Sequence, residues 1–285
     1  MTDAAPGAWP APAKLNLFLH VTGRRTDGYH ELQTLFQILD WGDEIRITPT
    51  ADGEIRRGAS DYDVAEADDL AVRAAQLLRA ASGCRQGARI HVTKRIPMGA
   101  GLGGGSSDAA PVLLALNRLW GLDREVTELA EFGLRLGADV PVFVHGRSAL
   151  AGGVGERLDP VSLGERHYVL VLPDLAISTA EVFSDPDLKR DSRPIGMEAA
   201  RAGGGRNDCE AVVRKRHPRM DSLLDSLSRW GEPRMTGTGS GIFIPMPDRR
   251  RAEETARALK SLYNVRAVRG VDRSPLHEIL EPGGT

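Results

Sequence analysis

The segment of this 285-residue chain best suited to chemistry is a glycine run, Pro97-Met-Gly-Ala-Gly-Leu-Gly-Gly-Gly-Ser-Ser-Asp108. Glycine fills five of the seven positions from 99 to 105. Without Cβ atoms, such a backbone reaches positive φ and lets its amides approach a ligand closely. A helix expected to follow adds its free first-turn N–H groups and its dipole, so the segment reads as an anion site. Ser106 and Ser107 supply hydroxyls where phosphate oxygens or a phosphate-bound metal would sit. Lys94 and Arg95 precede the run and could serve adenine or phosphate, or solvate a strand end. Read alone, Asp139 suits a turn cap and Lys14 an exposed strand.

Known phosphate loops compare as follows. The pattern G-x-x-x-x-G-K-[ST] fails because no lysine follows the glycines. The dinucleotide spacing G-x-G-x-x-G is met by Gly99, Gly101 and Gly104, but the acid about 20 residues on, Asp123, falls between two expected helices. The protein-kinase loop lacks its Val-Ala-Ile-Lys and His-Arg-Asp partners. A plain flexible hinge does not explain why the run opens a strong helix.

The elements around it follow from periodicity. Residues 14–21 alternate, with Leu15, Leu17, Leu19 and Val21 on one face and Lys14, Asn16, Phe18 and His20 on the other, which predicts a half-buried strand. Residues 1–12 read as a loose arm. Further strands are expected near 44–48, 88–94, 168–172, 241–244 and 265–268, and helices near 69–81, 108–119 and 249–262. Pro111, tolerable only in a first turn, places the start of its helix near Ser106–Asp108. Residues 186–206 read as a flexible loop. Strands and helices mix without strict alternation, which predicts an α+β fold rather than a doubly wound parallel sheet. A glycine-rich stretch (Gly152, Gly153, Gly155) suggests two domains, 1–155 and 156–285.

Composition narrows the class. The 37 basic and 39 acidic residues leave a net charge of −2, which argues against a dedicated nucleic-acid binder. Two isolated cysteines give neither a disulfide framework nor a metal clip. No basic segment followed by an apolar run opens the chain, and no apolar stretch approaches a membrane span. A cytoplasmic protein with small-molecule partners, neither nucleic acid nor membrane, is expected, as monomer or homodimer.

The glycine run resembles the phosphate loop of the GHMP small-molecule kinases. Two more segments, Pro12-Ala-Lys-Leu-Asn-Leu-Phe-Leu-His20 and Arg25-Thr-Asp-Gly-Tyr-His-Glu-Leu32, resemble the N-terminal signature of the kinases of cytidine-diphosphate-linked methylerythritol. Gly137-Ala-Asp-Val-Pro-Val-Phe143, Asn207-Asp-Cys-Glu210 and Met235-Thr-Gly-Thr-Gly-Ser-Gly241 match further blocks. The resemblance spans residues 12 to 243 and implies a two-lobed kinase with a cleft between its lobes. It also implies ATP and Mg²⁺ as cofactors, CDP-methylerythritol as acceptor, and a place in non-mevalonate isoprenoid synthesis.

By that resemblance, Asp139 accepts the hydroxyl proton and Lys14 pairs with it. Pairing a proton acceptor with a cation is a conflict, softened by the loose transition state of phosphoryl transfer. The nucleotide is expected on Lys94, Pro97, Gly99, Ala100, Gly101, Leu102, Gly103, Gly104, Gly105, Ser106 and Ser107. The acceptor is expected on Asn16, Tyr29, His30, Ser178, Thr179 and Phe183, with His30 bonding the cytosine and Tyr29 and Phe183 stacking on it. No carboxylate is dedicated to metal. The sequence departs from the family at Asp69, where asparagine is expected near the nucleotide base, and at Ser240-Gly241.

Overall fold

The alternating segment after Pro12 does form a strand, but one buried on both faces rather than one. The computed structural model describes residues 7–60 and 62–280. Its elements in chain order are β1 (Ala8–Arg24), β2 (His30–Thr50), β3 (Ile55–Arg57), α1 (Leu70–Ser82), β4 (Gly87–Thr93), α2 (Gly104–Leu119), α3 (Val126–Leu134), α4 (Val140–His145), β5 (Ala149–Gly152) and β6 (Arg157–Pro160). After these come β7 (Arg166–Val171), α5 (Thr179–Ser184), α6 (Met197–Arg201), α7 (Asp208–Arg216), α8 (Pro218–Leu227), β8 (Arg234–Met235), β9 (Ile242–Met246), α9 (Arg249–Leu259), β10 (Val265–Val271) and α10 (Pro275–Leu280). The mixture is α+β, as expected. Of the proposed loose arm, residues 1–6 lie outside the described residues, while 8–12 already belong to β1.

β2 is the spine of the sheet. One edge pairs with β1 from Arg24↔His30 to Ala8↔Arg46, and the other is shared in turn by β5, β10 and β4. The remaining order runs from β10 through β7 and β9 to β8. A register shift between Asn16 and Leu19 changes the parity of β1. Leu15, Leu17 and Phe18 therefore share one apolar cluster, whereas Leu19 and Val21 join another under α7 and α8. A bulge of this kind re-aims every side chain beyond it, which simple alternation does not foresee. β7 is buried on both faces: Val169 and Val171 enter the second cluster, and Tyr168 and Leu170 the first. A third cluster packs α1, α2 and α4 on the sheet.

α2 starts at Gly104, two to four residues earlier than Pro111 implied, so this proline lies in the helix interior. An interior proline costs about 3 kcal/mol through its missing N–H and ring clash. Residues 107–116 of α2 are all buried, Val112, Leu113 and Leu116 completely, and each buried aliphatic side chain returns about 1.5–3 kcal/mol. Burial therefore outweighs the local penalty. Residues 186–206 form an ordered strap, not a flexible loop. Gln33 Nε2 donates to Ile195 O (2.9 Å) and Ile195 N donates back to Gln33 Oε1 (2.8 Å). Ser192 N adds a bond to Val21 O (3.0 Å), and Leu188 is buried.

Candidate active site

A cleft of about 510 Å³ opens over the glycine loop and is also lined by Lys14, Asn16, Asp139, Thr179 and Phe183. A larger groove of about 910 Å³ along α8 shares only Pro97 with it and lacks the Lys14–Asp139 pair.

The loop is shaped by alternation. Gly99, Gly101 and Gly103 hold φ of 68°, 68° and 74°, while Ala100 and Leu102 between them are buried. A side chain at Gly103 would meet the Phe143 ring at 2.9 Å and Lys14 Cε at 3.2 Å. Its carbonyls turn inward: Gly101 O accepts from Lys14 Nζ (3.1 Å), and Leu102 O from the Lys14 amide (3.1 Å). In a trans peptide the N–H points opposite to the C=O. The amides of Leu102 and Gly103 are thus directed away from Lys14, and neither has a protein acceptor among the described residues. Ser107 N closes the first turn on Gly103 O (2.7 Å), which leaves the amides of Gly104, Gly105 and Ser106 without intrahelical partners. Together these groups form an anion-binding concavity at a helix N-terminus.

The third glycine motif supports this loop from behind. Ser240 N donates to Gly99 O (3.1 Å) and Gly241 N to Ala100 O (3.0 Å). Asn207 holds the motif in turn, donating from Nδ2 to Met235 O (2.9 Å) and Gly237 O (2.7 Å) while its Oδ1 caps α7. Glu210 accepts from Met235 N (3.0 Å) and Asp208 from Val21 N (2.9 Å). The Asn-Asp-Cys-Glu block is therefore a bracket joining the motif to β1.

Lys14 is buried with its three N–H donors matched: Asn16 Oδ1 at 2.5 Å, Gly101 O at 3.1 Å and Asp139 Oδ2 at 3.3 Å. Asp139 immediately precedes α4 but makes no side-chain cap, which removes the turn-cap alternative. Its side chain is 32% exposed, so one carboxylate meets both the buried ammonium and the open cleft. Asn16 is fixed by Thr34 (2.8 Å) and by its own amide on Thr236 Oγ1 (2.9 Å).

Several expected site residues are placed differently. Ser107 is fully buried and donates to Pro12 O (2.6 Å), so its hydroxyl faces the protein, and Ser106 lines the cleft instead. The earlier helix start rotates the face that Ser107 occupies, at about 100° per residue. Lys94 borders the cleft with its ammonium held between Asp43 (2.5 Å) and Asp108 (2.8 Å). Burial opposes its charge, but the two carboxylates prevail and raise its pKa. Burial, then Asp43, hold the Asp108 carboxyl well above the usual range despite Lys94. Ser178 caps α5 by accepting from Glu181 N (3.3 Å) and does not line the cleft, whereas Thr179 does, bonded to Thr238 (2.9 Å). Tyr29 is 65% exposed on the β1–β2 turn and outside the cleft lining. His30 is likewise outside the cleft lining and stacks on Phe183, which does line it, with ring centroids 5.1 Å apart and planes at 26°. Asp69 caps α1 through Ala71 N (3.0 Å) and accepts from Tyr62 OH (2.5 Å), also away from the cleft wall.

Comparison with known proteins agrees with this geometry. The GHMP kinases N terminal domain matches residues 69–147 and the GHMP kinases C terminal domain residues 188–265. The 4-diphosphocytidyl-2-C-methyl-D-erythritol kinase of Halorhodospira halophila is 54% identical over 274 residues, covering 94% of each chain. That of Chromohalobacter salexigens is 53% identical, covering 95% of this chain and 93% of its own. The chain belongs to the 4-diphosphocytidyl-2-C-methyl-D-erythritol kinase family. A crystal structure of a 4-(cytidine 5'-diphospho)-2C-methyl-D-erythritol kinase superposes with a TM-score of 0.80 at 36% identity, covering 93% of this chain and 99% of that one. As a member of this kinase family, the protein is an ATP-dependent phosphotransferase. Among the described residues no helix is long and apolar enough to cross a membrane.

Proposed function

We propose that the protein transfers the γ-phosphoryl group of ATP to the 2-hydroxyl of 4-diphosphocytidyl-2-C-methyl-D-erythritol, within non-mevalonate isoprenoid synthesis in the cytoplasm. The observation that carries this reading is the Lys14–Asp139 contact of 3.3 Å beside the glycine loop in one cleft. The family names of the relatives supply the acceptor.

In this reading, the amides of residues 102–106 grip the β- and γ-phosphates. Lys14 ties the loop to the reaction centre and offsets charge on the transferring group. Asp139 orients the acceptor hydroxyl and takes its proton late, because a loose transition state places little demand on base strength. Asn16 holds Lys14 in place. Phe183 receives the cytosine end, with the edge of His30 and the Thr179 hydroxyl beside it, and Tyr29 closes over it from the β1–β2 turn. Residues 1–155 carry the nucleotide and 156–285 the far wall of the acceptor site.

Mg²⁺ fits this donor set as an ion held chiefly by substrate. Among the described residues no three His, Cys, Asp or Glu side chains gather as ligands. Ser106 offers a hard oxygen at the helix start, and Mg²⁺ commonly retains waters and takes substrate phosphates. The ion would neutralise charge on the β- and γ-phosphates.

The test offers ATP and Mg²⁺ with the CDP ester, homoserine and mevalonate in parallel while ADP release is followed. Turnover with the CDP ester alone is expected. A preference for either small acceptor would overturn the substrate assignment and leave kinase activity standing.

A further inference from the structure

The guanidinium of Arg190, in the strap of residues 186–206, is more fully engaged than any role assigned so far requires. Its Nε donates to His30 Nε2 (3.0 Å), Nη1 to Leu188 O (3.0 Å), and Nη2 to Phe183 O (2.9 Å) and Asp185 O (2.7 Å). One side chain thereby joins the end of α5, which carries Phe183, to the start of β2, which carries His30.

The first of these bonds fixes a protonation state. Arginine has five donors, no acceptor, and does not give up its proton in proteins. His30 Nε2 must therefore be the acceptor, so the imidazole is neutral with its hydrogen on Nδ1. Nδ1 has no protein partner among the described residues. Burial, then the charges of Arg190 and Arg24, push the His30 pKa below its ordinary value, in the same direction.

We infer that Arg190 is a positioning residue that sets pyrimidine specificity, by holding His30 against Phe183 as a fixed Nδ1–H donor that accepts cytosine and rejects uracil. This rests on the reading above in which His30 and Phe183 meet the cytosine end of the acceptor. N3 of cytosine is a hydrogen-bond acceptor, whereas N3 of uracil carries a hydrogen. A locked donor finds a partner in the first base and faces a second donor in the other. An imidazole free to change tautomer would present Nδ1 as an acceptor and lose that distinction.

The experiment compares kcat/KM for the CDP ester and its UDP analogue in the wild type, Arg190→Met and Arg190→Lys. In parallel, ¹⁵N NMR of the wild-type imidazoles reads the tautomer, with His30→Gln assigning the signal. The wild type is expected to prefer the CDP ester by about 10- to 100-fold, the scale of one unpaired polar group. Arg190→Met should lose most of that ratio, more through KM than kcat, with KM for ATP retained. Arg190→Lys, which keeps a donor for Nε2, should recover part of it. The NMR should show hydrogen on Nδ1 alone. An unchanged ratio in Arg190→Met, or hydrogen on Nε2, would overturn the inference. If Arg190→Met does not fold, the wild-type NMR decides. A wild type indifferent to the base would instead sink the cytosine reading itself.

Discussion

A Cβ on Gly101 would lie 2.2 Å from the carbonyl oxygen of Thr236. The phosphate loop and the third glycine motif, 135 residues apart, are thus in backbone contact. Gly99 has the same φ of 68° with nothing within 4 Å of its own added Cβ. The pair separates strain from collision. Gly99→Ala should cost about 1–2 kcal/mol, the price of an L-residue in the left-handed region. Gly101→Ala adds a clash with backbone and should cost more, with ATP affinity falling at least tenfold. Urea denaturation and calorimetric ATP titration measure both, and equal losses would refute the packing argument.

Asp139 and Lys14 should fail differently. Asp139→Asn keeps the shape but loses the carboxylate, so kcat is expected to drop by about 10²–10⁴-fold with ATP binding nearly intact. Lys14→Met also strands Asn16 Oδ1 and takes one of two donors from Gly101 O, so it should weaken ATP binding and lower the melting temperature as well. Steady-state kinetics, ATP titration and thermal melts of the two variants check this. A full-rate Asp139→Asn enzyme would remove Asp139 from the chemistry.

The buried group of Asp43, Lys94 and Asp108 predicts a pH signature. The Asp108 pKa is raised in the fold, so its contribution favours folding below the ordinary carboxylate range and is lost as pH rises through the folded value. Asp108→Asn removes the second buried carboxylate and leaves Lys94 paired with Asp43. Its stability relative to wild type should therefore be greater at about pH 8 than at about pH 4. Denaturation curves at both pH values decide, and a pH-independent difference contradicts the assignment.

Asp69 tests whether the departure from the family reaches the nucleotide. Asp69→Ala removes the acceptor of Ala71 N and should destabilise the protein by about 1–2 kcal/mol. Asp69→Asn retains a capping oxygen, so KM for ATP should stay within about threefold, because Asp69 does not line the cleft. A large change in that KM would place Asp69 against the nucleotide.

What the sequence made legible was local. The glycine run, the start of a helix after it and the Gly-Ala-Asp block were readable because their chemistry lies within a few consecutive residues. The choice between Ser106 and Ser107 was not, since it depended on where α2 begins, and Pro111 pointed too far along the chain. The double burial of β1 was missed because alternation marks a half-buried strand, and the bulge before Leu19 leaves no compositional trace. Arg190 was invisible for another reason. Its partner His30 is 160 residues away, and only folding brings the two together.

The bonds from Ser240 to Gly99 and from Gly241 to Ala100 give the floor of the cleft two owners, one in each half of the polypeptide. Those halves cannot swing apart like a clamshell without breaking that seam. Any motion that admits substrates or discharges products therefore costs least where it leaves those two bonds in place.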